Sequence, residues 1–315
     1  MTIRALKLLA KSARWSSYIL IAGALSACFT GVESTPKIDS SDLKKQNVTT
    51  TPEQHYLDDV RHEKLGEWTP GKQLLVTDNK LAMLLGPEAG KEKNLKGETL
   101  TYIGSEDVIS ITGEPVAQLR FRTPDGVTVA YRMDAPMAEV AKRSEVEIPL
   151  TIELSVVEAV KKKMTGATYY LLSRDRYDEH NEAKTGKKYV KATVVDVLPG
   201  SSFYPVLLVL KDEDGVRFHL FMSVGRDLKA PRNFASLFSL SNPRTRYPNI
   251  NDEVWRHIVN GTVKEDMTRD ECRLSLGAPD NIDRRAGYSV LREVWSYENG
   301  KYLIFEDGLL RSFRQ

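Results

Sequence analysis

Apolar and polar positions alternate with period two along "QLRFRTPDGVTVAYRM". Leu119 and Phe121 alternate with Arg120 and Arg122. Pro124-Asp125-Gly126 then breaks the run, and Val127, Val129, Tyr131 and Met133 resume it. Such alternation on both sides of a Gly turn predicts a β-hairpin. A second stretch, "PVLLVLKDEDGVRFHLFM", has the same grammar, with Asp214-Gly215 at the turn and Val216, Phe218, Leu220 and Met222 beyond it. The openings "GETLTYIG" at Gly97 and "GATYYLLS" at Gly166 are also alike, giving a weak internal repeat of two small β modules.

The region from roughly Tyr56 to Met133 is expected to be mostly strand. Short strands joined by long hairpins suggest SH3-like barrels; two unrelated hairpins in one larger sheet fit equally well. Between the hairpins the period changes to helical in "IELSVVEAVKKKMTG". Val156, Val157, Val160 and Met164 share one face, Lys161 to Lys163 sit near the C-terminal end, and Gly166 ends the element. The lysine run is expected to be a solvated helix end rather than a phosphate site.

From Asn251 the boundary signals sharpen. In "INDEVWRHIVNG", Asn251 is the expected N-cap, followed by Asp252 and Glu253. Ile250 and Trp255 have staple spacing, and Gly261 is the stop. "MTRDECRLSLGAP" repeats this with a Thr268/Glu271 capping box, a Met267/Cys272 staple, and Gly277 and Pro279 at the end. Strands follow in "REVWSY", "KYLIFED" and "LLRSFR", with turns at Glu298-Asn299-Gly300 and Asp307-Gly308. The expected order is helix, helix, strand, strand, strand.

The N-terminus has another pattern. Arg4, Lys7, Lys11 and Arg14 precede the apolar run "YILIAGALSA", with no acidic residue before Cys28. The run is short of the ~20 residues that span a bilayer, and basic flank plus short apolar core is an export signal. Leu25-Ser26-Ala27-Cys28 resembles the lipobox of bacterial lipoproteins. That resemblance implies cleavage before Cys28, diacylglycerol on its thiol and an acyl group such as palmitate on its new amine. Each buried CH₂ adds about 0.8 kcal/mol of membrane affinity, so several acyl chains hold firmly. The polar stretch after Cys28 is a flexible tether. Phe29, standing where an aspartate would retain such a protein at the inner membrane, favours by resemblance the outer membrane. The absence of an acidic cluster after Cys28 favours its periplasmic face.

Charge narrows the partners. The chain has 45 basic and 43 acidic residues. Without the four leader cations it has 41 and 43, a net of −2. That balance argues against nucleic acid and against a polybasic membrane surface. With Cys28 acylated, Cys272 is the one free cysteine, so no intrachain disulfide forms. The organisation expected is a signal peptide (1–27), a tether (28–55), a first β module (56–145), a second β module with its preceding helix (146–230) and a C-terminal α+β domain (231–315). The fold class is α+β.

The C-terminal residues carry a further resemblance. "DMTRDECRLSLGAPD" followed by "EVWSYENGKYLIFEDGLL" resembles the BamE/SmpA/OmlA family of outer-membrane lipoprotein domains, through Met267, Thr268, Leu276, Gly277, Pro279, Trp295, Tyr297, Phe305 and Gly308. It covers roughly 65 residues. Asp266 stands where the family has a glycine, so a different turn is expected there. The resemblance implies a non-catalytic ααβββ domain that docks on envelope partners, notably the β-barrel assembly machine; it implies the fold more strongly than the partner.

Catalytic signatures are sparse. His55, His62, His180, His219 and His257 have no metal-ligand spacing, so neither a metal nor a cofactor is expected. Cys272, near a helix start, is expected to be a buried apolar residue rather than a nucleophile. The acids from Asp212 to Asp214 lack the pattern of a calcium loop. No phosphate-binding or nucleophile-elbow motif occurs. In "RNFASLFSLSNPRTRYPNI", Phe234, Leu237, Phe238 and Leu240 fit a short connecting helix. The alternative is a docking surface of Phe234 and Phe238 with Arg244, Arg246 and Tyr247. The leading expectation is a lipid-anchored, non-enzymatic envelope protein, a scaffold or assembly factor at the outer membrane. The alternatives are a peptidoglycan- or glycan-binding SH3-like protein, and an enzyme whose site exists only in the fold.

Overall fold

The computed structural model describes residues 50–86, 94–225, 230–286 and 291–314. Cys28, the leader and most of the tether lie outside them. Sixteen strands in three antiparallel sheets and five short α-helices occur among the described residues, a mixed α and β chain weighted towards β.

The first sheet contains β1 (Gln73–Val76), β2 (Thr99–Ile109), β3 (Pro115–Arg122), β4 (Thr128–Arg132) and β5 (Thr151–Glu153), in the order β4-β3-β2-β1-β5. The first expected hairpin is β3–β4, with Phe121 opposite Val129. Its turn is closed by Thr123 and Val127, and Gly126 donates to the Thr123 carbonyl at 2.9 Å. Leu119, Phe121 and Val129 are buried with Leu74, Leu100 and Tyr102. Strand begins later than expected. Residues 52–67 hold two 3₁₀ turns, Pro52–His55 and Leu65–Glu67, because Pro52 fixes a helical turn and the polar run after it has no alternation to lay on a sheet.

A helical turn, α1 (Met137–Val140), precedes β5, and β5 runs without a loop into α2 (Leu154–Met164). The expected helical face is inside: Val156, Val157, Val160 and Met164 are all buried. Each such side chain contributes about 1.5–3 kcal/mol on leaving water. Lys161 pairs with Asp196 at 2.9 Å and Lys163 with Asp59, so these lysines bind the protein's own carboxylates.

α2 packs on a second sheet of β6 (Thr168–Leu171), β7 (Asp175–Tyr177), β8 (Ala183–Thr185), β9 (Lys191–Pro199), β10 (Val206–Asp212), β11 (Arg217–Met222) and β12 (Phe238–Ser239), ordered β12-β6-β9-β10-β11-β7-β8. The second expected hairpin is β10–β11, with Leu210 opposite Phe218. The repeated openings have become β2 and β6, in different surroundings. β2 lies beside its hairpin, whereas β9 separates β6 from β10. The first sheet takes in residues 151–153 and the second takes in 238–239. Each thus extends past the sequence boundary drawn at 146 or 231.

The short helix α3 (Phe234–Leu237) leads to the C-terminal part. Here α4 (Asp252–Asn260) and α5 (Arg269–Leu276) have the expected caps. Asn251 accepts from the Val254 amide at 2.8 Å, and Thr268 and Glu271 form a capping box. The third sheet has four strands where three were expected: β13 (Asn281–Ala286), β14 (Leu291–Ser296), β15 (Tyr302–Glu306) and β16 (Leu309–Arg314), in chain order. β13, "NIDRRA", is a polar edge strand that needs no second apolar face, which hides it from periodicity. Met267, Cys272, Trp295, Leu303, Phe305 and Leu310 make a third core.

Contacts from Arg174, Lys188 and Tyr189 join the second sheet to this part. Arg174 donates to the carbonyl of Gly261 at 3.3 Å. A Cβ at Gly261 would lie 1.7 Å from that guanidinium and displace it, and φ +63° itself favours glycine. Lys188 donates to the last carbonyls of α5. Tyr189 stacks on Trp255 with centroids 5.4 Å apart.

Candidate functional site

The segments around β5 bring charge into the interior. Lys72, at the start of β1, is held by the strand ladder: the Tyr102 amide donates to its carbonyl at 2.8 Å. Glu153 ends β5 and is the N-cap residue of α2, where the helix dipole favours a carboxylate. Their side chains are 4% and 6% exposed. Lys72 Nζ lies 2.8 Å from Glu63 and 3.2 Å from Glu153 Oε2, donates to Ser155 Oγ at 3.3 Å, and sits 4.9 Å from the Trp68 ring centroid. His62 Nδ1 approaches the same Oε2 at 3.4 Å. That carboxylate raises the imidazole above its ordinary value despite burial. Both Glu153 oxygens are buried with no hydrogen-bond partner.

His62, Trp68 and Glu153 border a recess of about 170 Å³ between the first and second sheets. Trp68, Leu74, Val146, Ile148 and Ile152 line one side, and Phe203, Pro205 and Val224 the other. Glu145 and Glu147, both exposed, also line it. The tight β9–β10 turn, in which Ser201 donates to the Tyr204 carbonyl at 2.8 Å, projects Phe203 outward at 86% exposure. The arrangement can hold a cation by charge and an aliphatic chain by contact.

The residues singled out from sequence scatter elsewhere. Phe234 and Phe238 are 3% and 0% exposed and pack with Tyr56 and Tyr169 in the second core, so neither offers a docking surface; Phe234 lies in the expected short helix, whereas Phe238 lies in β12. Arg244 spends its guanidinium locally, on the carbonyls of Tyr247 and Ile250 and on Asp252, over the Trp255 ring. Arg246 and Tyr247 remain together, on a groove of about 540 Å³ that also borders α5. Cys28 lies outside the described residues.

Other groups have structural partners. Cys272 is buried, and burial with nearby Glu271 pushes its thiol up to about 12. His55 meets Asp58 at 2.7 Å, His219 meets Asn181 at 3.0 Å and His257 meets Thr262 at 2.9 Å. Asp212 pairs with buried Arg176 at 2.8 Å, and Asp214 pairs with Lys187. Among the described residues no three of His, Cys, Asp and Glu converge as a metal site, and no helix is long and apolar enough to cross a membrane.

Sequence reasoning missed the recess, since positions 62, 72 and 153 share no local spacing. The one available signal was a lone glutamate, Glu153, at the entry to an apolar helix face. No protein-family model, curated protein or solved structure matches the chain.

Proposed function

We propose that this is a lipid-anchored, non-enzymatic envelope protein that works by binding a partner at the outer membrane. The observation that carries the reading is the N-terminal grammar: four cations, a short apolar run and Leu25-Ser26-Ala27-Cys28 ahead of a polar tether. Acyl chains on Cys28 would hold the body at the membrane, and the tether raises its effective concentration near partners there.

The fold supports a binding role in two places. In the first sheet, the meander β1 to β4 meets the last strand, β5, at β1 after a helical turn, an order that suits a small SH3-like barrel. The seven-stranded second sheet departs from it. In the C-terminal part, Met267, Trp295 and Phe305, matched to the BamE/SmpA/OmlA pattern, lie together in the core. Asp266, standing where the family pattern has glycine, adopts φ +66°, a left-handed conformation that glycine takes without strain. The edge strand β13 is an addition to the family pattern.

Mass spectrometry of the native protein tests the anchor. The expected first residue is Cys28 bearing diacylglycerol and an amide-linked acyl chain; an intact leader or a bare thiol overturns it. Crosslinking in membranes followed by pull-down is expected to recover an envelope protein. Sedimentation of the body with purified peptidoglycan, with no protein recovered, would favour the glycan-binding alternative.

A further inference from the structure

We infer that the recess beside Glu153 is a site for a primary alkylammonium group, the head of a lysine side chain presented by a partner protein. This rests on the binding role proposed above, and not on the lipid anchor.

Donor and acceptor supply is unequal in the recess. An ammonium has three N–H donors, and those of Lys72 face Glu63, Glu153 Oε2 and Ser155 Oγ. His62 also turns to Oε2. Neither oxygen of this carboxylate, on a residue only 6% exposed, receives a hydrogen bond, and the two cations meet Oε2 as ion pairs alone. A buried unsatisfied oxygen is a standing penalty that an incoming N–H relieves. Charge points the same way. Glu145, Glu147 and Glu153 line the space, the Lys72–Glu63 pair beside Glu153 adds no net charge, and His62 adds a charge only when protonated. The balance is negative in either state.

Shape selects among cations. Lys72 and His62 already stand 3.2 and 3.4 Å from Oε2, so a compact point-charge ammonium can join them, whereas a planar guanidinium fork on both oxygens has to displace one. Apolar walls at Ile148, Ile152 and Val224 fit the methylenes of a side chain. The volume of about 170 Å³ admits such a chain and excludes a folded segment. Phe203, held out at the rim, would cover the backbone that delivers it.

Calorimetric titration of the full chain with Nα-acetyl-lysine methylamide tests the site. Saturable 1:1 binding is expected, with the neutral isostere Nα-acetyl-norleucine methylamide at least tenfold weaker and the arginine amide weaker than lysine. Glu153→Gln is expected to lose at least tenfold. Should that variant fail to fold, Val224→Trp fills the recess with its charges intact and is expected to abolish binding. Equal binding of the norleucine amide, no saturable binding of the lysine amide, or unchanged affinity in a folded Glu153→Gln protein overturns the proposal. Tighter binding of 1,5-diaminopentane than of the lysine amide overturns the choice of a protein side chain. None of these outcomes bears on Cys28, so failure here is distinct from failure of the anchor.

Discussion

Lys188 donates from Nζ to the backbone carbonyl of Ser275 at 3.0 Å, and also to that of Leu274. A cation from the second sheet thus caps the C-terminal end of α5, where helix carbonyls lack intrahelical donors. Burial, with the charge of Arg174 added, pushes the amine down to about 8. The unfolded lysine titrates near ~10.4, so between about pH 8 and that value the unfolded chain binds a proton that the folded one has released. Stability from this group therefore rises with pH through that window and is flat below it. Chemical denaturation from pH 7 to 10 is expected to show the rise in the parent and not in Lys188→Met. At pH 7 that substitution is expected to cost about 1–3 kcal/mol, from two helix carbonyls left without their donor.

His62 works in the opposite direction. Its pairing with Glu153 raises the imidazole above its unfolded value of ~6.5. A raised folded value gives stability that is complete below ~6.5 and is lost as pH climbs through the folded value. An NMR titration of the ring is expected to place His62 above the ordinary histidine value of ~6.5. His62→Gln is expected to cost about 1 kcal/mol at pH 6 and little at pH 8.

Cys272 is expected to be chemically silent. With its thiol pushed up to about 12 and no exposed surface, little thiolate exists at pH 8. Labelling by a disulfide reagent is expected to be slow in native protein and complete in denaturant, its rate tracking unfolding. Cys272→Ala is expected to cost about 1–2 kcal/mol by opening a small cavity.

Asp266 occupies a left-handed backbone site at φ +66°, pairs with Arg311, and receives the turn through its amide, which donates to the Leu310 carbonyl at 2.9 Å. Asp266→Ala keeps the strain and loses the ion pair, and is expected to cost about 1–2 kcal/mol. Asp266→Gly relieves the strain and is expected to stay within about 0.5 kcal/mol of the parent, or above it. Thermal melts of the two variants decide this.

What could be read from the chain follows physical range. The β3–β4 and β10–β11 hairpins, the buried face of α2 and the caps Asn251 and Thr268 are local devices, written within a dozen residues, and they fold as written. The short strands β1 and β5 were not legible, since each has three or four residues and is defined by its partners. β13 was hidden by charge. The fate of Phe234 and Phe238 turned on whether a sheet lay beneath them, which "RNFASLF" does not state. The recess was the least legible feature: burial of Glu153 comes from packing two sheets together, and beyond its place at the entry to an apolar helix face the sequence gives no sign of it.

The junction between β5 and α2 has a mechanical meaning. Glu153 closes a strand of one sheet and Leu154 opens the helix that lines the core of the next, with no spacer between them. A cable pulling at the front of the chain would meet no hinge at this seam, so the two bodies would share the load as one strut.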